Sequence, residues 1–191
     1  MTRTVGRRTC REAWEYMTEI SMDAPVRNFT QELEMSDYVV ETDLFPLDVL
    51  DAYSAWNLGR DLTDEQRQHF NEERGGGQGD YRDGMADKIA NVVDCLNQFP
   101  NSKRAVITVP NDSGPSHESD EDAKCMRELH FNLDGGRLNA SVFFRAQASS
   151  IFPKNIHFIG AIMDEVAATL DAKPPVGSLH YFTSILVGDR S

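Results

Sequence analysis

The stretch Lys124-Cys125-Met126-Arg127-Glu128-Leu129-His130-Phe131-Asn132-Leu133-Asp134-Gly135-Gly136-Arg137-Leu138-Asn139-Ala140-Ser141-Val142-Phe143-Phe144-Arg145 decides how this chain is read. Leu129, Phe131 and Leu133 alternate with polar residues, and Leu138, Ala140, Val142 and Phe144 do so again. Between the two runs, Asp134-Gly135-Gly136 supplies residues that tolerate positive φ. The pattern predicts two paired strands, with the thiol of Cys125 and the fixed cation of Arg145 at the hairpin's two ends.

Working outward, Arg11 to Ile20 places Ala13, Trp14, Met17 and Ile20 at helical spacing. Thr30 to Glu41 reads as a strand ending in Tyr38-Val39-Val40. Leu47 to Leu58 reads as a largely buried helix stopped by Gly59. Arg60 to Arg74 is strongly charged, and Gly75 to Gly79 is read as a loop rather than a phosphate cradle, because no Lys-Ser/Thr pair follows it. Met85 to Leu96 is helical with Ile89, Val92, Val93 and Leu96 on one face, and Phe99-Pro100 ends it. Ala105 to Val109 is a short strand, and Pro110 to Asp122 is an acidic, exposed connector. Beyond the hairpin, a long helix from about Asn155 to Leu170 is broken by Pro174-Pro175, and Leu179 to Val187 forms a final strand. Helices and strands do not alternate strictly, so the expected class is α+β, a mixed sheet packed with helices, in one domain spanning residues 1–191.

Composition narrows the function. The chain has 191 residues, 40% of them hydrophobic, which suffices for one sizeable core. A formal charge of -12 argues against nucleic acid as a partner, since a phosphate backbone attracts a concentrated positive field. No apolar run approaches the roughly 18 residues of a membrane span, and the basic N-terminus lacks an apolar signal core, so a cytoplasmic protein with no membrane association is expected. Cys10, Cys95 and Cys125 lack metal or disulfide spacing, and the five histidines are scattered, so no metal is expected.

Read locally, the chemical candidates are modest. Lys124 and Arg127 beside Cys125 favour the thiolate, the form that attacks carbon electrophiles, although a lone cysteine is ordinarily a small apolar side chain. Arg145 follows two phenylalanines and is ordinarily a surface arginine. Lys103-Arg104 lies between a helix end and a strand, where cations complement the helix dipole. His130, His157 and His180 fall in helix or strand segments and read as structural.

Taken together and in order, these segments resemble the thymidylate synthase family, which includes the pyrimidine nucleotide hydroxymethylases. That family has a cysteine, a strand, a D-G turn, a second strand ending in arginine, and a P-F-N-I turn into a long helix. Here the series is Cys125, Phe131, Asp134 to Gly136, Leu138, Arg145 and Pro153-Lys154-Asn155-Ile156, without a gap from Cys125 to Arg145. Asp87 to Val109 resembles the family's segment ending N-P-x-S-R-R-x-I-V, and Val176-Gly177-Ser178-Leu179 is similar to its V-G-E-F strand entry. The resemblance covers about residues 80–186, and residues 1–80 match poorly.

The resemblance implies a thymidylate synthase-like fold and a homodimer with shared active sites. It implies transfer of a one-carbon unit, as a methyl or hydroxymethyl group, from 5,10-methylenetetrahydrofolate to C5 of a pyrimidine nucleoside monophosphate. By position, Cys125 would be the nucleophile at C6. Arg145 would grip the phosphate, joined by Arg104 and Lys103 from across the subunit interface and by Arg27. Asn155 would read the O4/N3 edge, which favours uracil.

Several positions depart from the family. Tyr53 stands where the family has its catalytic glutamate, three residues before Trp56. Ala123-Lys124-Cys125-Met126 replaces P-P-C-H, Phe144-Arg145-Ala146 replaces Q-R-S, and Ala148 falls at an aspartate position. The sugar-binding H-x-Y falls near Val187 and Asp189, and Ser191 precedes the last family strands. A second expectation therefore stands beside the first: a nucleotide-binding dimer without the chemistry.

Overall fold

The computed structural model describes residues 6–71, 74, 80–109 and 124–189. In chain order the elements are β1 (Arg8–Thr9), α1 (Cys10–Ser21), β2 (Val26–Glu34), α2 (Leu47–Asn57), α3 (Asp64–Arg67), α4 (Met85–Gln98), β3 (Val106–Thr108), β4 (Met126–Asp134), β5 (Arg137–Phe144), β6 (Gln147–Ala148), α5 (Phe152–Thr169) and β7 (Val176–Val187). The loops expected at Gly75 to Gly79 and Pro110 to Asp122 lie outside the described residues.

The hairpin forms in the register that its pattern dictates. β4 and β5 pair antiparallel with Leu133 opposite Leu138 and Phe131 opposite Ala140. Gly135 and Gly136 close it at φ 59 and 73, the positive pair a two-residue hairpin loop demands. Leu129, Phe131, Leu138, Ala140, Val142 and Phe144 are all buried, so alternation has sent one face into the core. A register shift between Met126 and Glu128 interrupts the ladder near its open end. Beyond it, Arg145 N–H donates to the Cys125 carbonyl at 2.9 Å, which holds the two ends of the hairpin side by side.

The hairpin belongs to a mixed seven-stranded sheet of order β1-β2-β7-β5-β4-β3, with β6 also on β7. β7 lies antiparallel to β2 and parallel to β5. A parallel neighbour requires a crossover, and α5 supplies it. Its sequence is apolar around nearly its whole circumference, and Ile156, Phe158, Ile159, Ile162, Met163 and Val166 are all buried. α5 packs most extensively against α2, and also against α4, α1, β5 and β7. The α+β class is thus met by a mixed sheet packed with helices.

Three boundaries differ from the sequence reading. The strand expected over Thr30 to Glu41 runs instead from Val26 to Glu34, and Tyr38-Val39-Val40 is not part of it. Met35 N–H still reaches the Gly177 carbonyl at 3.0 Å, but β7 begins at Val176 and offers no partner further on. Pro153-Lys154-Asn155-Ile156 is the first turn of α5 rather than a turn before it, since proline near a helix start loses no hydrogen bond. Within the charged stretch, Thr63 and Gln66 form a reciprocal cap that nucleates the one-turn α3.

Tyr38 leaves the sheet to lie on α5. A Cβ at Gly160 would stand 2.2 Å from the Tyr38 ring, and the Tyr38 hydroxyl donates to Asp164 at 2.7 Å. Gly160→Ala is therefore expected to destabilise the protein by about 2 kcal/mol, although alanine is the better helix former. Urea unfolding measures this, and a stabilised variant would show that Tyr38 is not seated there.

His157 is buried in α5, with Nδ1 2.7 Å from Ser54 Oγ and Nε2 3.6 Å from the Asp51 carboxylate. Burial lowers its pKa from 6.5 against the raising effects of Asp51 and Asp164. The folded state then binds fewer protons than the unfolded chain, so this stability is complete above 6.5 and is lost as pH falls below it through the folded pKa. Unfolding free energy measured from pH 8 to 5 is expected to decline on the acid side, and His157→Gln to flatten that decline.

Candidate functional site

Cys125 is a half-buried thiol outside any disulfide, immediately before β4. Arg145, half-buried at the exit of β5, points its Nε back to the Lys124 carbonyl at 3.3 Å. The sheet therefore brings together the two residues that are 20 positions apart in the sequence.

Three buried tyrosines surround this point. Tyr81 accepts a hydrogen bond from Met126 N–H on its hydroxyl at 3.2 Å, with a further backbone bond from Cys125. Burial raises its pKa, the Cys125 thiol adds to that, and Arg145 opposes it. Tyr53 and Tyr181 are also raised, chiefly by burial, and both sense Tyr81 and Cys125. All three phenols stay neutral near pH 7 and serve as hydrogen-bonding groups rather than as bases.

The surrounding elements fix these rings. Phe158 of α5 stacks on Tyr81 at 5.7 Å and meets Tyr53 edge-on at 6.3 Å. Asn57, fully buried at the end of α2, accepts Tyr81 N–H at 2.7 Å, which ties the entry to α4 onto α2. Tyr181 lies in β7 against Phe144 at 5.3 Å and Phe152 at 5.6 Å. Lys154, only 3% exposed, holds its amine 4.6 Å above the Tyr53 ring and donates to the Arg74 carbonyl at 2.9 Å. Asp80 is lowered by its ion pair with Arg82, and Lys124 contributes to the same effect. Arg82 in turn covers Trp56 at 3.7 Å.

Asn155 joins the cluster through an amide relay. Its Nδ2 donates to Gln147 Oε1 at 3.0 Å, and the Tyr181 hydroxyl donates to that same oxygen at 2.7 Å. Cys125, Arg145 and Asn155 thus converge on one end of the sheet. Arg27 is exposed at that end as well, since Val26 and Gln147 both pair with Leu186 from opposite sides of β7. Lys103 and Arg104 do not join them. Both are exposed, and the Ala105 carbonyl next to them takes Phe131 N–H, about 20 Å along β4 from Cys125 at ~3.3 Å per residue.

The sequence reading missed Tyr81, Tyr181, Gln147 and Lys154. Gln147 carried a signal: a glutamine directly between a strand and a buried helix has to satisfy its amide there. Tyr81 carried none, because its importance depends on contact with Met126 across 45 residues. Among the described residues no group of His, Cys, Asp or Glu has the grouping of a metal site, and no helix is long and apolar enough to cross a membrane. No protein-family model matches this chain, and no curated protein matches it.

Proposed function

We propose that this protein has a thymidylate synthase-like fold and acts on a pyrimidine nucleoside monophosphate. In this reading Cys125 adds to C6 of the ring and activates C5 to receive a one-carbon unit. The observation that carries the reading is the convergence of Cys125, Arg145, Tyr81 and the Asn155 amide at one end of the sheet. A nucleotide needs that combination: a cation for its phosphate, an amide for its base edge and a thiolate for its carbon.

The step balances within the residues present. The thiolate sulfur forms a bond to C6, and the C5=C6 electron pair moves toward C4, leaving negative charge on O4 and nucleophilic character at C5. A solvent proton can then bond to C5, and loss of the original C5 hydrogen with cleavage of the S–C6 bond restores the ring. Two backbone N–H groups occupy Tyr81 Oη as acceptor, so its own proton is available to the sulfur or to a water beside it.

The folate donor rests on the resemblance alone. The cavity beside Tyr53, Phe70 and Lys154 measures about 10 Å³, room for a single water and not for a folate. No step is therefore derived through it. Homodimerisation is proposed through the exposed face of the sheet. On the sheet face opposite the buried side chains, Phe143 is 38% exposed and stacks on Phe182 at 5.5 Å. Beside them lies a concavity of about 450 Å³ lined by Arg137, Asn139, Ser141, Ser178 and His180. A second copy covering this face would bury those rings, and it is the route by which Arg104 and Lys103 could reach a site they do not reach within one protomer.

A second reading, nucleotide binding without the chemistry, is favoured by Tyr53 at the position of the family's glutamate. Release of hydrogen from C5-labelled uridine and cytidine monophosphates to solvent tests both. Release from either supports the enzyme; binding without release supports the second reading; absence of both overturns both.

A further inference from the structure

We infer that Arg127, turned inward by the bulge in β4, seats an oxyanion beside Cys125, a carboxylate or phosphoryl oxygen other than the phosphate assigned above to Arg145. The inference does not depend on what Arg145 holds.

The bulge decides where this side chain goes. Met126 pairs with Phe144 and Glu128 with Phe143, so β4 has one more residue here than β5, and Arg127 is the extra one. Strict alternation from the buried Met126 would send Arg127 to the exposed face of the sheet. The strand on its other side shows that it goes elsewhere. β3 pairs Ile107 with Leu129 and Thr108 with Glu128, and Val109 N–H continues that ladder by donating to the Arg127 carbonyl at 2.9 Å. Residues directly opposite each other in an antiparallel ladder share a face. Ile107 and Leu129 both lie in the core, Thr108 and Glu128 are both exposed, and Arg127 falls with Val109, which is 6% exposed. A guanidinium is thus directed to the helix-covered face, two residues from the thiol and next to the Met126 N–H that binds Tyr81.

On that face the charge lacks a counterpart. Arg127 Nη1 is buried without a hydrogen-bond partner, and the side chain makes no ion pair among the described residues. The other half-buried arginines among those residues are held: Arg8 donates to Gln31, Arg74 to the Leu44 carbonyl at 2.8 Å, and Arg145 to the Lys124 carbonyl at 3.3 Å. A guanidinium nitrogen taken out of water without an acceptor destabilises the fold, and an apolar side chain at the same place would not. An oxyanion removes that cost. The planar fork of arginine matches carboxylate and phosphate alike, and because the residue as a whole is only half-buried, the fork is reachable from solvent.

Thermal unfolding of wild type, Arg127→Met and Arg145→Ala in sodium phosphate and in sodium acetate, each compared with sodium chloride of equal ionic strength, tests this. Wild type is expected to melt about 2–4 °C higher in at least one of the two oxyanions than in chloride, and Arg127→Met to lose at least half of that shift. A shift in acetate as well as phosphate identifies a carboxylate-sized group, and a shift in phosphate alone a phosphoryl group. In chloride, with no oxyanion present, Arg127→Met is expected to melt about 2–4 °C above wild type, because an unbranched apolar chain removes an uncompensated charge. A residue with only a structural role would do the reverse. Four results overturn the inference: Arg127→Met melting at or below wild type in chloride, Arg127→Met keeping more than half of the shift, wild type responding to neither oxyanion, and Arg145→Ala abolishing the shift, which would assign the ion to Arg145. None of them touches the nucleotide-binding reading, which release of the C5 hydrogen decides.

Discussion

Cys125→Ala is expected to abolish release of the C5 hydrogen, by about 1,000-fold or more, while nucleotide affinity stays within about 3-fold of wild type. In the proposed mechanism the Cys125 thiol is the group that forms and later releases the bond to carbon. The surrounding phenols are held neutral by burial, so none of them replaces it. Binding, in the same proposal, draws on Arg145 and Asn155. Arg145→Ala should invert the pattern, weakening the nucleotide about 10-fold to 100-fold as a charge-assisted contact to phosphate is lost. Pairing the two variants separates chemistry from recognition. If Cys125→Ala released the C5 hydrogen at the wild-type rate, covalent addition by this residue would be excluded. Cys10 is an internal control: it is fully buried, and burial pushes its thiol up to about 12, so thiol reagents applied to the native protein should spare it.

The second large effect is on stability. Phe158→Ala should cost about 3–5 kcal/mol, measured by urea unfolding. The ring is 1% exposed and lies between Tyr81 and Tyr53, so its removal leaves a void with aromatic walls on two sides. Those walls are the tyrosines facing Cys125, and their loosening should weaken nucleotide binding even where the variant remains folded. A loss below about 1 kcal/mol would show that α2 and α4 close over the gap.

Period-two and helical patterns made most of this architecture legible, because each reports a single face turned toward the core. The hairpin's register, the buried character of α5 and the helix of α4 all follow from such local spacing. Tyr38-Val39-Val40 misled for the complementary reason. Its residues leave the sheet, Tyr38 half-buried on α5, Val39 half-buried against Phe45, Val49 and Leu50, and Val40 buried in the main core, and strand propensity does not distinguish these fates. Cys125 and Arg145 could be singled out because the hairpin between them is continuous in sequence. Tyr81 and Tyr181 could not, since each acquires its role from a partner dozens of residues away, and the signal at Gln147 marked its place but not its partners, which only the fold defines. Lys103 and Arg104, expected to reach the phosphate from across a subunit interface, stand far along β4 from the Cys125 of their own protomer.

The placement of β7 has a consequence for how the protein comes to be made. The strand that sits between β2 and β5 follows every other element in the chain order, and it pairs residues about 150 positions apart, such as Thr30 with Phe182. During synthesis β2 emerges early but cannot acquire its antiparallel neighbour until β7 has left the ribosome, and until then β5 also presents an unpaired edge. Nascent chains stalled before Val176 should accordingly be sensitive to protease and bind chaperones, whereas chains extended past Val187 should become resistant together across both halves of the sheet.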